Sequence, residues 1–126
     1  MQKLLVIFST LMFPSASYAE WTFVAKSVTE NTFYVDFETI KKHDGYVYYW
    51  GLSDYSKRSP QGNLSGIIYK QVDCNLLGSK FLSDTYYTGP MGAGEKNGGS
   101  NIPDKDWIYA KPNSVDEKIL KSVCSR

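Results

Sequence analysis

The sequence predicts an α+β fold: one mainly antiparallel sheet of about six strands with a C-terminal helix packed on one face. Three observations carry it. Short runs rich in aromatic and β-branched residues recur along the chain, as they do in strands. Turn signals separate them at short intervals, so neighbouring strands run antiparallel. A single segment near the C-terminus has helical spacing of its apolar residues. Such a sheet with one helix on one face is a two-layer arrangement.

The first element is not part of the fold. Met1-Gln2-Lys3 is a short positive start, and Leu4 to Phe13 is ten residues without a charge. At ~1.5 Å per residue such a helix reaches half of a ~30 Å hydrocarbon core, too short to span it. Pro14 ends it, and Ser17-Tyr18-Ala19 offers small residues at the cleavage positions. Residues 1–19 therefore read as a secretory signal peptide cut between Ala19 and Glu20, and 20–126 as the folded domain. Lys3 is the only charge in the leader, so the domain keeps 13 basic and 13 acidic side chains. That balance excludes the basic stripe of a nucleic-acid binder and leaves little long-range steering. No membrane span is expected.

The strands follow in order. Trp21–Lys26 and Thr32–Phe37 alternate around the polar turn Ser27–Asn31. Glu38–Lys42 reads as one short helical turn before His43-Asp44-Gly45, where Asp-Gly is a strong turn signal. Tyr46–Asp54 is the third strand. Ser65–Asn75 is the fourth, with Ile68, Val72 and Cys74 on the face the helix should cover. Lys80–Thr88 and Trp107–Ala110 complete six. Two stretches read as loops: polar Lys57–Leu64, and Thr88–Asp106 with five of the ten glycines. A loop of that second length is usually functional or disordered.

The helix is Val115–Cys124. Ser114 at its N-cap and Glu117 three residues on form a capping box. Asp116 and Glu117 in the first turn and Lys118 and Lys121 beyond it suit the helix dipole. Val115, Ile119, Leu120, Val123 and Cys124 fall on one face. An exported chain meets an oxidising compartment, so Cys74 and Cys124, the two cysteines present, are expected to pair. They lack the close spacing of a redox pair.

Reactive chemistry is scarce. One histidine and two bridged cysteines cannot build a zinc site, so no metal is expected. His43 reads as a solvated turn residue. Ser53 and Ser56 have no nucleophile-elbow context. Asp36 with Glu38, and Asp104 with Asp106, read as solvated carboxylates. Gly89–Gly94 lacks the Gly-Lys-Ser/Thr and helix of a phosphate loop. No cofactor and no enzyme activity are expected. Aromatic surface remains. Tyr46, Tyr48, Tyr49 and Trp50 place rings on both faces of one strand, and Tyr86-Tyr87 does so on another. These rings either complete the core or leave the helix-free face as a contact surface.

Several segments, taken in order, form a recognisable set. They are Glu20-Trp21-Thr22, Phe33-Tyr34-Val35-Asp36, and Trp50-Gly51-Leu52-Ser53-Asp54-Tyr55. Val72-Asp73-Cys74, Tyr86-Tyr87-Thr88-Gly89-Pro90-Met91-Gly92 and Trp107-Ile108-Tyr109 follow, then Pro112, Ser114-Val115, Leu120 and Val123-Cys124. The ordered set resembles the surface-adhesin protein E family of small exported proteins of Gram-negative bacteria. The resemblance implies an antiparallel sheet with a C-terminal helix, a Cys74–Cys124 bridge, adhesion to host matrix proteins and self-association as a homodimer. The candidate binding surface is then Tyr46, Tyr48, Trp50, Tyr86, Tyr87, Met91 and Lys96, with the 88–106 loop. No cysteine lies near the cut to take a lipid anchor, so the periplasm is the expected location, with the cell surface or the medium as the alternative. The rival function is a periplasmic inhibitor or envelope-assembly factor with a bacterial protein partner.

Overall fold

A computed structural model of the protein describes residues 19–126, so most of the expected leader lies outside the described residues. Seven strands form one sheet: β1 (Thr22–Lys26), β2 (Thr32–His43), β3 (Tyr46–Asp54), β4 (Ser65–Asp73), β5 (Gly78–Tyr87), β6 (Lys96–Ser100) and β7 (Ile108–Tyr109). The order β1-β2-β3-β4-β5-β6 follows the chain, every pairing is antiparallel, and β7 joins β5. The helix α1 (Val115–Cys124) completes the fold.

Side-chain alternation gives each strand two faces. On the face under the helix lie Val35, Val47, Tyr49 and Val72, with Val24 and Ala25 from β1; Ile119, Leu120 and Val123 of α1 close over them. Both Val24 and Ala25 are buried because the pairing of β1 with β2 slips between Phe23 and Ala25. Cys74 follows β4 and bonds Cys124 of α1, with Cα atoms 5.7 Å apart. The helix start is as the sequence predicts, with one refinement. Ser114 Oγ accepts from the Glu117 amide at 3.1 Å, but Glu117 Oε1 accepts from Asn113 N–H rather than from the N-cap amide.

Three expectations are corrected. Glu38–Lys42 is not a helical turn: β2 runs unbroken to His43. The register moves from Asp36 opposite Trp50 to Lys41 opposite Tyr48, so Phe37–Ile40 all face Tyr49. This is a large bulge, and extra residues in a bulge break the two-residue alternation that a strand shows in sequence. The hairpin that follows is as expected: Asp44 and Gly45 take φ of 50° and 83°, a primed turn.

Thr88–Asp106 is not one open loop. Ser65 and Asp54 tie down its first part, the 3-10 turn Pro90–Gly92. Ser65 Oγ donates to Gly89 O at 2.7 Å and accepts from Gly92 N–H, while Asp54 Oδ1 accepts from Met91 N–H at 2.8 Å. Its second part is β6, whose five polar or glycine residues carry no strand pattern. Asp36, finally, is not solvated: it is buried beside the bulge, and Oδ1 accepts from Glu38 N–H at 3.2 Å. The Lys57–Leu64 loop is bonded to the body, since Arg58 Nη1 donates to Gly62 O and Thr88 O.

The bridge closes a separation of 50 residues. The chain-entropy relation gives ~3–4.7 kcal/mol for such a loop. Denaturant melts with and without reductant should show a loss of that order, and Cys74→Ser should match the reduced protein. Leu120 is 2% exposed under the sheet. Leu120→Ala should cost ~2–5 kcal/mol in the same melts.

Candidate functional site

The face without the helix is where most of the expected rings meet. Tyr46, Tyr48 and Trp50 alternate with buried Val47 and Tyr49, which turns them away from α1. Tyr69 on β4 pairs with Trp50 and belongs to the same face. The Trp50 and Tyr69 rings lie 4.5 Å apart, and Tyr48 stacks on Tyr69 at 6.2 Å. Gln71 Nε2 donates to Tyr48 Oη at 3.1 Å and holds that ring in place. Tyr46 stacks on Trp107 at 5.4 Å, and Lys80 Nζ lies 4.8 Å from the Trp107 ring centre. Phe23 and Tyr34 make an edge contact at 5.9 Å on β1 and β2.

Trp50 is 37% exposed and Phe23 is 54% exposed, so this face reaches solvent. A groove of about 450 Å³ runs along it, lined by Trp21, Asp36, Glu38, Thr39, Trp50 and Ile67 among others. Aromatic anchors of this kind are enriched at protein interfaces. Burial, then the neighbouring Tyr48, raises the Tyr69 phenol above its ordinary value.

The other expected residues divide. Alternation puts Tyr87 on the helix-free face with Ile67 and Thr85. Met91 is exposed at the end of that face, on the anchored 3-10 turn, with φ of 54°. Gly92 of this turn packs on Ile67 and Leu52, which keeps Leu52 covered. Lys96 pairs with Tyr87 on β6 and is fully on the surface. Tyr86 points the other way. Its ring fills the space over Gly66, and Tyr86 Oη donates to Asp84 Oδ2 at 3.1 Å. Tyr86 therefore does not share a surface with Tyr46, Tyr48 and Trp50. Tyr49 is core and 2% exposed.

Tyr69, Trp107, Phe23 and Tyr34 belong to the aromatic face without being among the expected residues. Tyr69 was within reach: Ile68, Val72 and Cys74 on one side of β4 put Tyr69 and Gln71 on the other. Trp107 was not, because the chain between β6 and β7 brings it back over Tyr46.

Candidate reactive groups stay apart. His43 is at the exposed end of the β2–β3 hairpin, with Nε2 3.1 Å from Asp44 Oδ2. Among the described residues no three His, Cys, Asp or Glu side chains gather to hold a metal. No helix among them is long and apolar enough to cross a membrane. Besides Asp36, one charged side chain is buried among the described residues: Lys70, 7% exposed under the helix, with Nζ 4.4 Å from the Phe81 ring centre. Burial lowers its pKa, and the Asp116 carboxylate opposes that.

Burial pushes the Tyr86 phenol up to about 12, with the Asp84 charge and hydrogen bond adding to it. A raised acid pKa means stability that is present below the unfolded value of 10.0 and lost as pH rises toward about 12. Stability of the unaltered protein should fall across that window. Tyr86→Phe should flatten part of the fall, read from denaturation midpoints at stepped pH.

Comparison with known proteins agrees with this architecture. The sequence model of one family, Surface-adhesin protein E, matches residues 21–125. Two crystal structures of Haemophilus influenzae protein E share the fold. Crystal form II superposes with a TM-score of 0.63 at 16% identity, covering 89% of this chain and 92% of that one. The structure of protein E from non-typeable Haemophilus influenzae gives a TM-score of 0.58 at 16% identity, covering 89% and 80%. No curated protein matches the chain. With that match over nearly all of the described residues, the chain belongs to the surface-adhesin protein E family.

Proposed function

We propose that the protein is an exported, non-enzymatic binding module that adheres to a protein through its helix-free aromatic face, a host matrix protein being the first candidate. The observation that carries this reading is the ring cluster Trp50–Tyr69–Tyr48, set on the sheet with Trp50 open to solvent and the two tyrosines half-buried beside it. Rigid aromatic side chains lose little entropy on binding and supply large contact area. Membership of an adhesin family supports it. The near-balance of charge fits recognition by contact rather than by long-range attraction. The Cys74–Cys124 bridge supports export, since such bridges persist outside the cytosol. Met91 and Lys96, on the 88–106 segment beside this face, extend the proposed surface.

Binding of the 20–126 domain to immobilised matrix proteins tests it. Trp50→Ala and Tyr69→Ala should each weaken binding by about tenfold or more, the loss expected of an interface hot spot. Exposed as Trp50 is, its variant should melt within a few degrees of the unaltered protein. Equal binding by both variants would remove the aromatic face from the model, and capture of a bacterial envelope protein instead would favour an inhibitor or assembly role.

A further inference from the structure

A second concavity lies on the opposite side of the sheet end from the aromatic face. It measures about 500 Å³, within the ~300–1,000 Å³ common for small-molecule sites. Tyr55, Ser59, Gln61, Asn63, Tyr86 and Asn97 line it, with Gly98 and Gly99 at the rim. None of these side chains is charged.

The chain builds this pocket deliberately enough to restrict what each group has left to offer. The β5–β6 register slips between Thr85 and Tyr87, which leaves Asn97 and Gly98 opposite Tyr86. Asn97 Nδ2 donates to Gln61 O at 2.9 Å and to Asn63 Oδ1 at 2.7 Å, so both of its N–H groups are spent on the 57–64 loop. Its remaining capacity is an acceptor. Asn63 is 5% exposed, and Ser59 Oγ holds its backbone N–H at 3.0 Å. Its Oδ1 is committed to Asn97, which leaves its Nδ2 donors free. Asn63 itself is one of the residues that line the cavity. Gly66 lets the Tyr86 ring lie against the sheet, with Tyr55 Oη close to the same spot. Asp84 is occupied by Tyr86 Oη and by Ser100 N–H at 2.7 Å.

The site thus joins two tyrosine rings to one buried amide donor, one amide acceptor and small flexible rim residues. Tyrosine with Asn, Ser and Gly is a chemistry of rigid ring contact plus adaptable neutral hydrogen bonds. A pyranose offers the matching surface: an apolar C–H face for a ring, and hydroxyls that both donate and accept. An acidic sugar would meet no cation in the lining. We propose that this pocket binds the end of a neutral saccharide, stacked on a tyrosine ring and hydrogen-bonded to Asn63 and Asn97. The site is separate from the aromatic face, and either can fail without the other.

The test is a nitrogen–proton NMR titration of the 20–126 domain with lactose, N,N′-diacetylchitobiose and 3′-sialyllactose. At least one neutral disaccharide should saturate at about 10 mM or below. Shifts should centre on the Asn63 and Asn97 side-chain amides and on Gly98 and Gly99. Tyr86→Ala should weaken that binding about tenfold; if that variant does not fold, the map on the unaltered protein decides alone. No saturation by either neutral sugar, shifts centred on Trp50 and Tyr69, or tighter binding of sialyllactose would overturn the proposal.

Discussion

A single ten-residue helix must cover one face of a seven-stranded sheet, and the Cys74–Cys124 bridge keeps it there. A helix that short is marginal without tertiary contacts. Here it is held at both ends. Ser114 caps its start, and Cys124 ties its last turn to the end of β4. Ile119, Leu120 and Val123 then bury the sheet face between these two anchors. Lys70 fits this arrangement only because its long stem crosses beneath the helix to the Phe81 ring.

The consequence falls on the other face. No second helix exists among the described residues, so that face is finished by local means. The 3-10 turn after β5 folds over Leu52 and Ile67, and Ser65 fastens it from within the sheet. Beyond the turn the rings cover one another. Tyrosine and tryptophan suit a surface half in water, since each has an apolar body and a polar tip. The same property makes them good anchors for a partner, and this joins the fold to the proposed adhesion.

The bulge in β2 shows how a sheet can mislead a reader of sequence. Glu38-Thr39-Ile40-Lys41-Lys42 has neither strand alternation nor a turn signal, and a helical turn is the ordinary reading of such a stretch. Four residues are instead accommodated opposite Tyr49, which spares the pairing on both sides. Asp36 is buried at the same place, where the amide of Glu38 donates to its Oδ1. The polar strand β6 was illegible for a related reason. Lys96–Ser100 has no apolar side chain to alternate, and it becomes a strand by pairing with β5.

What this chain's sequence determined alone was much of the local structure and everything forced by counting. The Ser114 cap, the Asp44-Gly45 turn, the apolar strands and the identity of the cysteine pair follow from neighbouring residues or from the presence of two cysteines. Which rings would meet was decided only by the tertiary structure. Of the neighbours Tyr86 and Tyr87 it is Tyr87 that takes the helix-free face, while Trp107 returns from a distant segment to stack on Tyr46. The physical reason is register: ladder pairing and its slips set which side chains share a face, and those slips depend on partner strands far away in sequence.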